Sequence, residues 1–260
     1  MIVKYKIFTR YLLILVLLLG ILFLIFKNTI INKQIEGMSN QFTAVIVEPR
    51  EHKALEYVLE NFAKNLDKNW SILIMHGKTN ERYVKDILHK KLGKYKGRIS
   101  LYNMQVENLS IEDYNDLLTS HKFYQRIPTE TFLIFQTDSI ICEECSDYIN
   151  EFLEYDYVGA PNKEWVGNGG LSLRKKSKMI EVLNKNKRMP GENEDIFFTK
   201  KENNLYIPDL KTANRFSNEG NYSPNSFGVH KPWWYFNEDE LYKKQTHCRT
   251  LTKLIELNKN

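Results

Sequence analysis

Four short segments carry the residue types that could do chemistry. The first is Gln136-Thr137-Asp138-Ser139, directly after the apolar run Thr131–Phe135. A carboxylate at the end of a buried strand can hold a divalent cation on a diphosphate, since Mg²⁺ and Mn²⁺ take one or two carboxylates plus phosphate oxygens. The same Asp can simply begin a turn. The second is Gly167-Asn168-Gly169-Gly170-Leu171-Ser172-Leu173-Arg174. Its glycines let backbone N–H groups approach a ligand and permit positive φ, or they form a tight hairpin. It matches neither the P-loop nor G-x-G-x-x-G, where Ser172 stands in place of the last Gly. The third is Glu192-Asn193-Glu194-Asp195 before Ile196-Phe197-Phe198. Acids at a helix start serve capping and the helix dipole, and they can also supply a general base. The fourth is Gly228-Val229-His230-Lys231-Pro232-Trp233-Trp234. His230 suits metal ligation or proton transfer and Lys231 can neutralise a phosphate, while the tryptophans offer stacking faces or plug a core.

Two further candidates are less specific. Cys142-x-x-Cys145 with His247-Cys248 raises a zinc site, but adjacent His and Cys chelate poorly. A redox dithiol or local disulfide at Cys142 and Cys145 is opposed by Glu143 and Glu144, which raise a thiol pKa. Arg50, just past the run Phe42–Glu48, is either a nucleotide contact or a surface charge.

These residues need a scaffold, and the first half supplies a regular one. Phe42–Glu48, Trp70–Met75, Arg98–Met104 and Thr131–Phe135 read as strands, the first, second and fourth as continuous apolar runs. Helical spacing occupies Glu51–Leu66 and Asn80–Leu92, and Ser110-x-x-Asp113 can cap a helix through about Lys122. Strands alternating with helices of this length predict an α/β fold, a mostly parallel sheet with helices on both faces, with ligands beyond the carboxyl ends of the strands. After Asp138 the chain is expected to be loop-rich, with helical spacing returning at Lys175–Leu183 and Leu241–Leu257.

The net charge of +5 over 260 residues is concentrated at the start. Residues 1–40 hold five basic groups against one acidic group, and the remainder is nearly neutral with 32 basic and 31 acidic groups. A near-neutral body argues against a duplex nucleic-acid reader, which needs a concentrated cationic footprint. Tyr11–Phe26 is uncharged and apolar. It spans about 24 Å as a helix, and Ile30 and Ile31 extend it toward the ~20 residues a bilayer requires. No A-x-A cleavage pattern follows, so an uncleaved anchor is expected rather than a signal peptide. The organisation is then a cytoplasmic tail at 1–10, an anchor at 11–31, a stalk at 32–40 and one domain at 41–260, with the body on the lumenal or outer side. That is a single-pass type II membrane protein, facing the Golgi or ER lumen if eukaryotic.

In their order, strand–QTDS, DYVGAP…GNGGLSLR, NED and GVHKPW resemble GT-A-fold glycosyltransferases, most closely an uncharacterised glycosyltransferase-like domain family. The likeness runs from about Phe42 to Phe236. It implies a Rossmann-like GT-A fold, and transfer of a sugar from a nucleotide-sugar donor to a hydroxyl of a glycan or protein acceptor, with no nucleic-acid partner. It also implies Asp138 and His230 as ligands of one Mn²⁺ or Mg²⁺, within about 6 Å of each other. Gly169 and Gly170 would form a loop beside the donor and Lys231 would be a phosphate contact; from their places at the strand ends, Arg50, Gln136 and Thr137 are expected as further donor contacts. Asp195 would be the base, with Glu194 beside it. Gln136 replaces the first Asp of the D-x-D motif, which removes one charged ligand. That departure favours the rival reading of a non-catalytic glycan- or nucleotide-binding module; a metal-dependent nucleotidyltransferase is a further alternative.

Overall fold

The apolar runs of the first half form the centre of the sheet. A computed structural model describes residues 40–162 and 164–259. Strands β1 (Phe42–Glu48), β2 (Trp70–His76), β3 (Ile99–Asn103) and β4 (Thr131–Phe135) lie parallel in the order β3-β2-β1-β4. Their side chains alternate between two cores. Ala44, Ile46, Ile72, Ile74, Leu133 and Phe135 face one; Val45, Val47, Leu73, Met75, Phe132 and Ile134 face the other. A strand buried on both faces needs no polar alternation, so it reads as an unbroken apolar run.

Helices Leu55–Asn65 and Glu81–Lys90 cover the first face through Leu55, Val58, Phe62, Val84 and Ile87. Helices Ile111–Leu118 and His121–Tyr124 cover the second through Leu118, Phe123 and Tyr124. Ser110 and Asp113 form the reciprocal capping box their spacing predicts. The helix ends at Leu118 rather than Lys122, because Ser120 starts a separate turn by accepting from the Phe123 N–H. The connections change face between β3 and β4, so the strand order reverses at β1. The carboxyl ends of β1 and β4 therefore open a crevice.

The second half departs from the expected loops. β6 (Tyr157–Pro161) and β7 (Val166–Lys175) form a hairpin that extends the sheet, giving the order β3-β2-β1-β4-β7-β6. Both new pairings are antiparallel, so the sheet is parallel only through β4. A second sheet, β5-β9-β8, is made of Ser139–Ile141, Gly228–His230 and Ser217–Asn218. Strands this short show no periodicity in sequence. Gly167, Gly169 and Gly170 lie inside β7 and not in a loop; glycine weakens a strand signal without preventing a strand.

The helix expected over Leu241–Leu257 is two, Glu238–His247 and Thr250–Asn258. The break falls at Cys248, which forms a disulfide with Cys142 across 106 residues and ties the C-terminal helices to the end of β5. Cys145 is free and buried, so the local Cys142–Cys145 pair does not form. Among the described residues no helix is long and apolar enough to cross a membrane. The tail, anchor and stalk expected at 1–10, 11–31 and 32–40 lie outside the described residues, except for Asn40.

Candidate active site

The small sheet builds the centre of the site. After β4 the chain turns at Ser139, whose hydroxyl accepts from the Gln136 N–H and donates to the Gln136 carbonyl. β5 then runs antiparallel to β9 with Ser139 opposite His230, and the Lys231 N–H donates to the Asp138 carbonyl at 2.9 Å. This register sets Asp138 Oδ1 3.2 Å from His230 Nε2. β8 lies parallel to β9 on its other side. The residue leaving β8 is Glu219, with Oε1 3.3 Å from His230 Nδ1 and 3.7 Å from Lys231 Nζ. Three neighbouring strands thus deliver one imidazole between two carboxylates.

The His230 side chain is 2% exposed and that of Asp138 is 27% exposed. Burial works against a charged imidazole, but Asp138 and Glu219 outweigh it and lift the His230 pKa to about 9. Burial likewise opposes ionisation of Asp138, yet His230 and Lys231 hold its carboxyl down at about 2. Despite the short separations, Asp138 Oδ1, Glu219 Oε1 and both ring nitrogens of His230 have no aligned hydrogen-bond partner. Buried polar atoms are nearly always satisfied, and the two that lie together at the Asp138 edge of the ring, Oδ1 and Nε2, are where a further group can bind.

Mn²⁺ or Mg²⁺ fits that place. Two neighbouring ligands of an octahedral ion at ~2.1 Å lie about 3.0 Å apart, close to the spacing of Asp138 Oδ1 and His230 Nε2. Glu219 is on the opposite edge of the ring and cannot join them on the same ion. Accordingly, no group of three or more His, Cys, Asp or Glu among the described residues is arranged to hold a metal. A two-residue set still suits a cation that takes its other ligands from phosphate and water.

The glycine strand serves the side chains around it. A Cβ on Gly170 would lie 2.2 Å from His230 Cε1 and Nε2, and one on Gly169 would lie 2.3 Å from Glu194 Oε1. Their N–H groups are already used: Gly169 donates to Asp195 Oδ2 and Gly170 to Asn168 Oδ1, both at 3.0 Å. Neither N–H is free for a phosphate, and of the three glycines only Gly167 has positive φ. The glycines give room for the side chains of the site and not for the ligand itself.

Glu194 and Asp195 divide their roles at the start of helix Glu194–Thr199. Glu194 receives both ends of the Arg174 guanidinium, at 2.7 and 2.8 Å, and Arg174 has no exposed side-chain surface. Although burial opposes the charge, the Glu194 carboxylate holds the guanidinium firmly protonated. Tyr157 and Phe198 lie against the guanidinium, with ring centroids 4.6 and 5.8 Å away. Both Glu194 oxygens are therefore occupied. Asp195 instead accepts from Gly169 N–H and from Ile196 N–H while lining the cavity.

A cavity of ≈ 520 Å³ runs from the ends of β1 and β4 to this cluster. It brings together Arg50, Gln136, Thr137, Asp138, Gly169, Gly170, Glu194, Asp195, His230 and Lys231. Arg50 is braced by Glu48, whose buried carboxylate accepts from its Nε and Nη2 at 2.8 Å. Gln136 Nε2 donates to the Tyr114 hydroxyl at 3.1 Å. A second cavity of ≈ 590 Å³ shares Asn168, Asn193, Asp195, Glu219 and Tyr235 with the first and continues along Trp165 and Ile196. Trp233 packs on the core, and Trp234 is exposed and lines neither cavity. The aromatic ring that lines both cavities at this end is Tyr235. Sequence motifs do not single out Glu219, Tyr235 or Tyr114; Glu219 sits in the polar stretch Ser217–Asn225, which has no pattern to mark it.

The sequence profile described as "Protein of unknown function (DUF5672)" matches residues 98–230, just over half the chain, and the chain belongs to that family. No curated protein matches it. Among solved structures it is similar to the apo-form glycosyltransferase GlyE of Streptococcus pneumoniae TIGR4, at TM-score 0.51 and 10% identity, over 84% of this chain but only 60% of GlyE's own length. It is also similar to the galactosyltransferase LgtC in complex with donor and acceptor sugar analogs, at TM-score 0.50 and 10% identity. An active-site mutant of LgtC gives TM-score 0.51 and 12% identity; both LgtC alignments cover 83% of this chain and 94% of theirs. At these identities the likeness is one of fold.

Proposed function

We propose that this member of the DUF5672 family is a glycosyltransferase that moves a sugar from a nucleotide-sugar to an acceptor hydroxyl. The observation that carries the reading is the convergence of Asp138, His230 and Lys231 beside Asp195, at the crevice where the strand order reverses. The fold shared with GlyE and LgtC supports it. The donor diphosphate lies along Asp138, His230 and Lys231, with the nucleoside toward Arg50 and Tyr114. A divalent cation held by Asp138 and His230 supplies neutralisation of the diphosphate. Lys231 adds a fixed positive charge where the leaving group becomes more negative. The acceptor enters by the second cavity, along Trp165 and Tyr235, and Asp195 takes its hydroxyl proton as the new bond forms. Glu194 supports this step only by fixing the Arg174 side chain beside Gly169.

We also propose that Tyr11–Phe26 anchors the chain, with the domain on an oxidising lumenal or outer side. The Cys142–Cys248 disulfide supports that placement, because such bonds persist outside the reducing cytosol.

The test is turnover of a panel of nucleotide-sugars with Mn²⁺. Release of free nucleoside diphosphate together with a glycosylated acceptor supports transfer. Gln136 favours one second reading, since its amide is spent on Tyr114 and gives no charged ligand. A non-catalytic nucleotide or glycan binder would bind the same panel and release nothing.

A further inference from the structure

We propose that Glu219 is a positioning residue that sets the imidazole of His230, and with it Lys231, for the cation and diphosphate. The proposal rests on the reading above, in which Asp138 and His230 hold a divalent cation. An imidazole that ligates through Nε2 carries its proton on Nδ1 and needs an acceptor there, which fixes the tautomer and the ring. Glu219 Oε1 is at that edge, 3.3 Å from Nδ1, while Asp138 lies at Nε2 on the opposite edge. The ring is 2% exposed and one face rests on Gly170, so solvent cannot replace the acceptor. Glu219 is itself 9% exposed, and its Oε1 has no aligned hydrogen-bond partner, so the imidazole edge and the Lys231 ammonium are the groups left to meet it. A buried carboxylate is costly unless it is paired, and the two groups that meet this one are consecutive residues.

That convergence has a backbone cause. Side chains of adjacent residues in a strand point to opposite faces. Lys231 leaves β9 in the left-handed region, at φ 33° and ψ 47°, an unusual conformation for a residue with a Cβ. The turn brings its ammonium within 3.7 Å of the same Oε1 that faces His230. One carboxylate thus orients both the imidazole and the ammonium. Because Glu219 also lines both cavities, its placement links the donor side to the acceptor side.

The test uses the full chain with Mn²⁺ alone, read by electron paramagnetic resonance and calorimetry. Glu219→Ala should weaken Mn²⁺ binding by about 10–100-fold, the usual effect of losing such a partner. Glu219→Gln, which keeps an acceptor oxygen, should recover part of the loss. With diamagnetic Mg²⁺, ¹⁵N spectra of His230 should report the Nδ1–H tautomer in the parent, and Glu219→Ala should lose it. Melting temperatures separate loss of fold from loss of positioning; if Glu219→Ala does not fold, Glu219→Gln and its spectrum carry the decision. Binding by Glu219→Ala within about twofold of the parent, while Asp138→Asn abolishes it, would overturn the role of Glu219 and leave the metal reading intact. A parent that binds no Mn²⁺, or an Asp138→Asn that binds normally, would overturn both.

Discussion

The imidazole of His230 rests directly on Gly170, so closely that a Cβ at that position would lie 2.2 Å from both Cε1 and Nε2. The relationship joins the two sheets: Gly170 belongs to β7 and His230 to β9. It also explains a glycine where no positive φ demands one.

Gly170→Ala should therefore act through His230. The added methyl meets the ring face and must displace the imidazole from its place beside Asp138, so Mn²⁺ binding should fall at least about tenfold. Stability should fall by about 1–3 kcal/mol, as for other overpacked sites. In a double-mutant cycle, His230→Ala should remove most of the stability cost of Gly170→Ala, because the clash is with the ring. Additive losses in thermal denaturation would refute this explanation of the glycine.

Glu194 gives a prediction of the opposite kind. With both oxygens on a fully buried Arg174, Glu194→Gln leaves a guanidinium short of its counter-charge. Breaking such a pair from one side typically costs about 3–5 kcal/mol. Chemical denaturation should show a loss of that size, and any loss of turnover should follow the unfolded fraction. A Glu194→Gln variant that is stable yet inactive would make Glu194 the base instead of Asp195.

The site's charges set a pH dependence. The His230 pKa is raised from 6.5 to about 9, so its contribution to stability is complete below about pH 6.5 and is lost as pH rises through about 9. The Asp138 pKa is lowered from 3.8 to about 2, so its contribution is present above about pH 4 and lost as pH falls toward 2. In the metal-free protein, the stability advantage of the parent over His230→Asn should shrink between pH 6.5 and 9. Mn²⁺ affinity should rise across the same window, since the ion needs the Nε2 lone pair that the proton holds. Affinity that is flat from pH 6.5 to 9 would contradict the imidazole ligand.

Much of the scaffold was legible because its signals are local. β1, β2 and β4 are uniform apolar runs, and the Ser110–Asp113 box announces its own helix. The site was legible only as separate motifs. What joins them is the β5-β9-β8 sheet, whose strands of two or three residues cannot display a period. Glu219 was invisible for that reason: its role comes from lying beside His230 across a strand pairing. Arg174 was visible as part of the motif, but its partner is 20 residues away, and Cys142 pairs across 106 residues and not with its near neighbour. Spacing along the chain predicts contacts within an element and says little about contacts between them.

Asp195 is where capping and catalysis are hardest to separate. Its Oδ2 accepts from Gly169 N–H and its Oδ1 from Ile196 N–H. An Asn has a single acceptor oxygen, so Asp195→Asn must give up one of these bonds or turn its amide N–H toward a backbone N–H. A stability loss of about 1–2 kcal/mol is expected on that ground alone. The chemical effect should be much larger. Without a base, turnover should fall about 10²–10⁴-fold, equivalent to ~3–5 kcal/mol of barrier. Donor affinity should change little, since Asp195 stands where the two cavities meet and not at the diphosphate end. The decisive comparison is turnover against donor binding in protein verified as folded. A hundredfold fall in turnover with unchanged donor binding supports the base. Near-normal transfer by folded Asp195→Asn would make this carboxylate a brace for the glycine strand, and the proton would then have to leave by another route.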